Sequence, residues 1–89
     1  MIKENVKAFI KDACAVDEVS DAAINSVKEL LDILSDREER IVRLRYGLDD
    51  GRCRSLLEVA EEFGVTREEI RQEESIAIKK LRSTAIHLK

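Results

Sequence analysis

The segment SLLEVAEEFGVTREEIRQEESIAIKKLRS, residues 55–83, restricts the fold more than any other part of the chain. It holds two helix starts of the same form, a hydroxyl residue followed three positions on by Glu: Ser55 with Glu58, and Thr66 with Glu69. Each pair reads as a capping box, in which the hydroxyl accepts an orphan backbone N–H and the Glu reaches back to the cap's own N–H. Between them stands Gly64, a residue that takes the helix-ending left-handed conformation at little cost. A short helix from Ser55, a glycine turn and a longer helix from Thr66 make a helix-turn-helix. Val59, Phe63, Val65 and Ile70 are apolar where the two helices must press together, and Ala60 is small where they cross. A generic helical hairpin needs the apolar residues but not an Ala and a Gly at these positions.

Eighty-nine residues make one small domain with one modest core. No Pro, three Gly and 39% charged residues predict an all-α fold, a small bundle of about five helices. No apolar run is long enough to span a membrane and no signal-peptide pattern is present, so the expected location is the cytoplasm, with no membrane partner. Cys14 and Cys53 lie far apart without ligand spacing and are expected as free thiols. His87, the only histidine, is expected to be an exposed bystander. One His and two distant Cys assemble no nucleophile–base pair and no metal cluster. The expectation is therefore no enzyme, no catalytic residue, no metal or other cofactor, and no small-molecule substrate.

Upstream of the motif, residues 3–14 predict a first helix with Val6, Phe9, Ile10 and Ala13 on one stripe. The segment AVDEVSD interrupts it. Ser20 or Asp21 then caps a second helix to about Leu34, with Ala23, Val27, Leu30, Leu31 and Leu34 on its buried face. Ser35 with Glu38 forms a third capping box and opens a helix through Tyr46, ended by Gly47, with Ile41, Leu44 and Leu48 on its inner side. LDDGRCR (48–54) is a polar loop turning at Asp50-Gly51. The organisation expected is a helical support segment at 1–33 and the helix-turn-helix domain at 34–89. Helices this short seldom hold alone in water, so mutual packing must supply most of the stability.

The net charge of −3 is unevenly spread. Residues 1–34 carry four Lys against seven acids, and residues 35–65 carry six Arg against eight. Residues 66–89 reverse the sign, with six bases against four acids. Positive charge thus gathers on the second motif helix, where phosphate-facing charge is wanted. At about 100° per residue, Ala77, Leu81 and Leu88 fall within roughly 20° of Ile70 and form a buried line. Opposite lie Glu68, Gln72, Ser75, Lys79 and Arg82, with Arg71 at the margin. Residues early in a recognition helix are those that reach base edges in the major groove. There Arg pairs with guanine, Gln with adenine, and Glu accepts from the cytosine amino group.

LSDREERIVRLRYGLDDGRCRSLLEVAEEFGVTREEIRQEESIAIKKLRS (34–83) resembles region 4 of the primary sigma factors of bacterial RNA polymerase. The matching pieces are LSDREERIVRLRYGL, LLEVAEEFGVTRE and IRQ…KKLR, in the family's order and spacing. Ordinary helix-turn-helix repressors lack the REE…RLRYGL element. Residues 1–33 fall outside this resemblance. It implies recognition of the minus-35 promoter element by the second motif helix, and docking of the earlier helices on the β flap of core RNA polymerase. Arg67, Glu68, Arg71 and Gln72 match family positions facing DNA bases or phosphates. Ser55 and Thr66, at helix N-termini, suit phosphate contacts, and Lys79 lies on the same outward face.

Three positions depart from the family, which usually has a basic residue at Glu69, Ile at Glu73 and often Lys at Ile76. All three fall on one flank of the helix. Acidic charge there repels phosphate, and Glu73 beside the core line must be exposed by a shifted helix, paired with Lys80 or Arg37, or covered by another chain. Two function classes follow. One is a promoter-recognition module that binds promoter DNA and polymerase. The other is a sigma-like protein-interaction module, with Glu69, Glu73 and Ile76 as its contact flank, that binds the polymerase flap, another sigma subunit or itself. A complete sigma factor needs a further region to open DNA. The chain is accordingly expected to be an isolated domain, one half of a split sigma factor, or a regulator that works alone.

Overall fold

A computed structural model of the chain describes residues 2–14 and 18–85. Six helices follow one another among them: α1 (Lys3–Cys14), α2 (Asp21–Asn25), α3 (Val27–Asp32), α4 (Asp36–Tyr46), α5 (Leu56–Phe63) and α6 (Arg67–Ala85). The all-α class holds and the helix-turn-helix is α5–α6. His87, Leu88 and residues 15–17, on which sequence-based expectations fall, lie outside the described residues.

Local chemistry explains most boundaries. Ser20 caps α2, its Oγ accepting the Ala23 N–H at 3.2 Å. Ser35 and Ser55 cap α4 and α5 with both halves of the box formed, Glu38 and Glu58 returning to the cap N–H at 2.9 and 3.3 Å. The single helix expected from Ser20 to Leu34 is instead two. At Ser26 the backbone leaves helical geometry, with φ −91° and ψ 1°, and the hydroxyl donates to the Ala22 carbonyl at 2.9 Å. A serine bonding back one turn competes with the backbone ladder and bends helices.

The core has two parts, and α4 divides them. Ile41, facing one way, packs with Val59, Ala60 and Ile70 of the helix-turn-helix. Val42, its neighbour, faces the other way into a larger cluster. That cluster gathers Val6, Phe9, Ile10 and Ala13 of α1, Val27, Leu30 and Leu31 of α3, and Leu48. It also takes Ala77 and Leu81 from α6. The buried line predicted along α6 therefore runs through both parts, Ile70 in one and Ala77 and Leu81 in the other, all at 0% exposure. Ala23 and Leu44 are only partly buried. Cys14 is buried and Cys53 exposed, both as free thiols.

Polar bonds lash α1 to the end of α4. The Phe9 and Tyr46 rings stand 5.0 Å apart, and the Tyr46 hydroxyl donates to the Asp12 carboxylate. Burial, then the Asp12 contact, pushes the Tyr46 hydroxyl pKa well above its ordinary value. Asn5 Nδ2 donates to the carbonyls of Tyr46 and Gly51 at 3.0 and 3.4 Å, and the Ile2 N–H to that of Leu48 at 2.7 Å.

Gly47 and Gly64 end α4 and α5 with φ of +61° and +68°. They differ in surroundings. A Cβ on Gly47 would stand 2.7–2.9 Å from the backbone of Arg52, whereas one on Gly64 meets nothing within 4 Å. Gly64→Ala is expected to cost only the left-handed penalty, about 1–2 kcal/mol. Gly47→Ala adds a clash with backbone and should cost more, about 3 kcal/mol or above. Urea denaturation of both variants checks this, and equal losses would show that the 47–52 turn yields freely.

Candidate nucleic-acid interface

The site is built on the turn between α5 and α6. After Gly64 reverses the chain, the Val65 N–H donates to the Ala60 carbonyl at 3.0 Å, closing the turn over the buried Ala60. Thr66 then starts α6, its Oγ1 accepting the Glu69 N–H at 3.2 Å. The reciprocal bond expected from the Glu69 carboxylate is absent among the described residues, so the Thr66–Glu69 box is half formed. Glu69 is exposed and without an ionic partner there.

With Ile70 fully buried, the opposite side of the first turns faces solvent. Arg67, Glu68, Arg71, Gln72, Ser75 and Lys79 are all exposed, as are Ser55 and Thr66. Their guanidinium groups are not equally free. Arg71 forks onto Glu68, Nε to Oε2 at 2.9 Å and Nη2 to Oε1 at 2.5 Å, while Gln72 Nε2 adds a bond to Oε1 at 3.4 Å. The bond from Arg71 holds the Glu68 carboxyl below the usual glutamate range, and raises the Arg71 pKa in turn. Arg67 and Lys79 have no carboxylate partner among the described residues. Arg82, expected on the outward face, turns instead to α1 and donates to the Ala13 and Asp12 carbonyls at 3.2 and 3.4 Å. A cation near the last carbonyls of a helix complements its dipole.

Sequence reasoning does not single out Arg45, yet it joins the site. It donates to the Arg54 carbonyl at 2.7 Å and pairs with Glu74 at 3.0 Å. With Ser55, Leu56, Leu57 and Arg67 it lines a shallow cleft of about 300 Å³ between the N-termini of α5 and α6. The signal was the dense run of arginines in α4, which carries no wheel position until its neighbours are known. The same run supplies Arg37 and Arg40, whose guanidinium carbons lie 5.7 and 5.5 Å from the centre of the Phe63 ring.

The departing flank is resolved in part. Of the partners weighed for Glu73, Arg37 is the one found, Nε to Oε1 at 2.8 Å. Lys80 goes to Glu38 instead, also at 2.8 Å. Burial works to raise the Glu38 pKa, but bonds from Lys80 and Ser35 outweigh it and hold the carboxyl below its ordinary range. The second oxygen of Glu73 is buried without a hydrogen-bond partner. Ile76 is 49% exposed.

Among the described residues no three His, Cys, Asp or Glu gather as a metal site, and no helix is long and apolar enough to cross a membrane. The family model of sigma-70 region 4 matches residues 30–83, starting a few residues ahead of the stretch that carries the resemblance. The chain is 54% identical over 78 residues to the RNA polymerase sigma factors SigA of Listeria monocytogenes and of Listeria innocua. Each alignment takes in 83% of this chain, so it reaches into residues 1–33, and 21% of the relative. The chain thus spans about a fifth of the length of the curated relatives it matches.

A buried carboxylate oxygen without a donor is costly, whereas Arg37, half exposed, can return to water. Glu73→Leu is therefore expected to stabilise the fold by about 1 kcal/mol. Urea denaturation checks the sign, and a loss would mean that the pair with Arg37 outweighs the orphaned oxygen.

Proposed function

The chain belongs to the sigma-70 region 4 family, and from that we propose that it is a promoter-recognition module whose α6 enters the major groove at the minus-35 element. The observation that carries this reading is the division of α6 into two sides. Ile70, Ala77 and Leu81 are wholly buried, and Arg67, Glu68, Arg71 and Gln72 stand together in solvent at the helix start. A helix so braced presents its first two turns to a groove without rearrangement. Arg67 is the first anchor, because it gives up no internal ion pair on meeting DNA. Ser55 and Thr66 bring hydroxyls and helix N-termini toward phosphate, and Lys79 extends the charge along the outward side. Promoter DNA and core RNA polymerase are the partners proposed, the latter through its β flap as the family resemblance implies.

The acid flank supports a second reading. Glu69 is unpaired among the described residues, and Ile76 is half exposed where an aliphatic side chain serves no groove. A protein contact on this flank, with a sigma subunit or a second copy, leaves duplex binding weak. Salt separates the two, since phosphate neutralisation makes duplex affinity fall steeply as salt rises and an apolar contact does not.

On the promoter reading, Arg67→Ala lowers affinity for a minus-35 duplex about tenfold and reduces the slope of log affinity against log salt by about one. Fluorescence anisotropy at several salt concentrations checks both. An unchanged slope and affinity would remove Arg67 from the interface, and a wild-type chain indifferent to salt would favour the second reading.

A further inference from the structure

The geometry of the first turns of α6 bears on which side chain reads which base. An arginine reads the paired acceptors of guanine with two parallel N–H groups. Its guanidinium offers two such edges, the side edge of Nε and Nη2 and the end edge of Nη1 and Nη2. In this chain the side edge of Arg71 is taken, because Nε donates to Glu68 Oε2 at 2.9 Å and Nη2 to Oε1 at 2.5 Å. Of its five N–H groups, three remain, and two of those lie parallel on the end edge. Glu68 Oε1 also accepts from Gln72 Nε2 at 3.4 Å, so both carboxylate oxygens already carry donors from the chain itself.

Resting on the reading of α6 as the recognition helix, we propose that Glu68 is the positioning residue that turns the end edge of Arg71 toward guanine, and is not itself a reader of cytosine. Three residues then act as one unit. Glu68 fixes the plane and direction of the guanidinium, and its bond to Gln72 steadies the amide beside it. A flexible arginine must lose rotamer freedom to make a bidentate contact; one already held by a carboxylate loses less. The pairing also neutralises Arg71, so its contribution lies in selectivity more than in bulk attraction. Arg67, unpaired among the described residues, supplies the latter.

The test takes duplexes selected from a randomised library by the wild-type chain, then changes each base pair in turn. Glu68→Ala, Glu68→Gln, Arg71→Ala and the double variant Glu68→Ala/Arg71→Ala are compared with wild type. All these positions are exposed, so the fold stands, as circular dichroism would verify. Glu68→Ala and Arg71→Ala are expected to relax discrimination at the same base pair, each by about tenfold. The double variant should be no more relaxed than Arg71→Ala. Glu68→Gln, which keeps one acceptor oxygen, should fall between Glu68→Ala and wild type. Relaxation at two different base pairs with additive losses would overturn the positioning role while leaving promoter reading intact. A wild-type chain that selects no sequence would overturn both.

Discussion

The buried line of α6 is the constraint from which the other features follow. Ile70, Ala77 and Leu81 take up one side of a 19-residue helix, and they belong to two separate clusters of the core. Burying Ile70 and Leu81 alone contributes roughly 1.5–3 kcal/mol each. Because both clusters grip the same side, the helix can neither roll nor tilt without opening one of them. The opposite side must then face water along its first turns. α4 serves as the partition, with adjacent Ile41 and Val42 pointing into different clusters. Through α4 and α6, the support given by α1 and α3 reaches the helix-turn-helix. Arg82 adds a polar tie by turning back onto the last carbonyls of α1.

Most of the arginines are committed within the chain. Arg37, Arg40, Arg43, Arg45, Arg52, Arg54 and Arg71 each hold a carboxylate among the described residues. Most of these pairs are exposed and contribute little to stability. Their larger effect is on where free positive charge remains. On α6 it survives at Arg67 and Lys79, both on the outward side, in a chain whose net charge is negative. A phosphate approaching Arg37, Arg40, Arg43, Arg45, Arg52 or Arg54 meets a guanidinium that already holds a carboxylate. Within the helix-turn-helix, the uncommitted cations of α6 attract phosphate at no internal cost.

What sequence could show was whatever the chain settles locally. Ser35–Glu38, Ser55–Glu58, Gly47 and Gly64 fix helix ends through bonds within a few residues, and these positions were legible. Periodicity was equally dependable for Val6, Phe9, Ile10 and Ala13, and for Ile70, Ala77 and Leu81. Local rules failed where two outcomes were close in energy. Ser26 can continue a helix or bond back to Ala22, and the half-formed box at Thr66 shows the same balance. Partner choice between distant charges was not legible either. Sequence left Lys80 and Arg37 as alternative partners for Glu73, and in the fold Arg37 takes it while Lys80 pairs with Glu38. Arg82 sat correctly on the wheel, but its long side chain follows α1, whose position no wheel contains.

The central proposal is that the solvent-facing side of α6, with the N-terminus of α5 beside it, is the surface that meets promoter DNA. Titrating a minus-35 duplex into isotopically labelled protein and following backbone and arginine side-chain resonances tests it most directly. The account predicts shifts concentrated at Ser55, Thr66, Arg67, Glu68, Arg71, Gln72 and Lys79, with α1 and α3 unmoved. Shifts centred on α1 or α3, or on Glu69 and Ile76 alone with Arg67 unaffected, would contradict it.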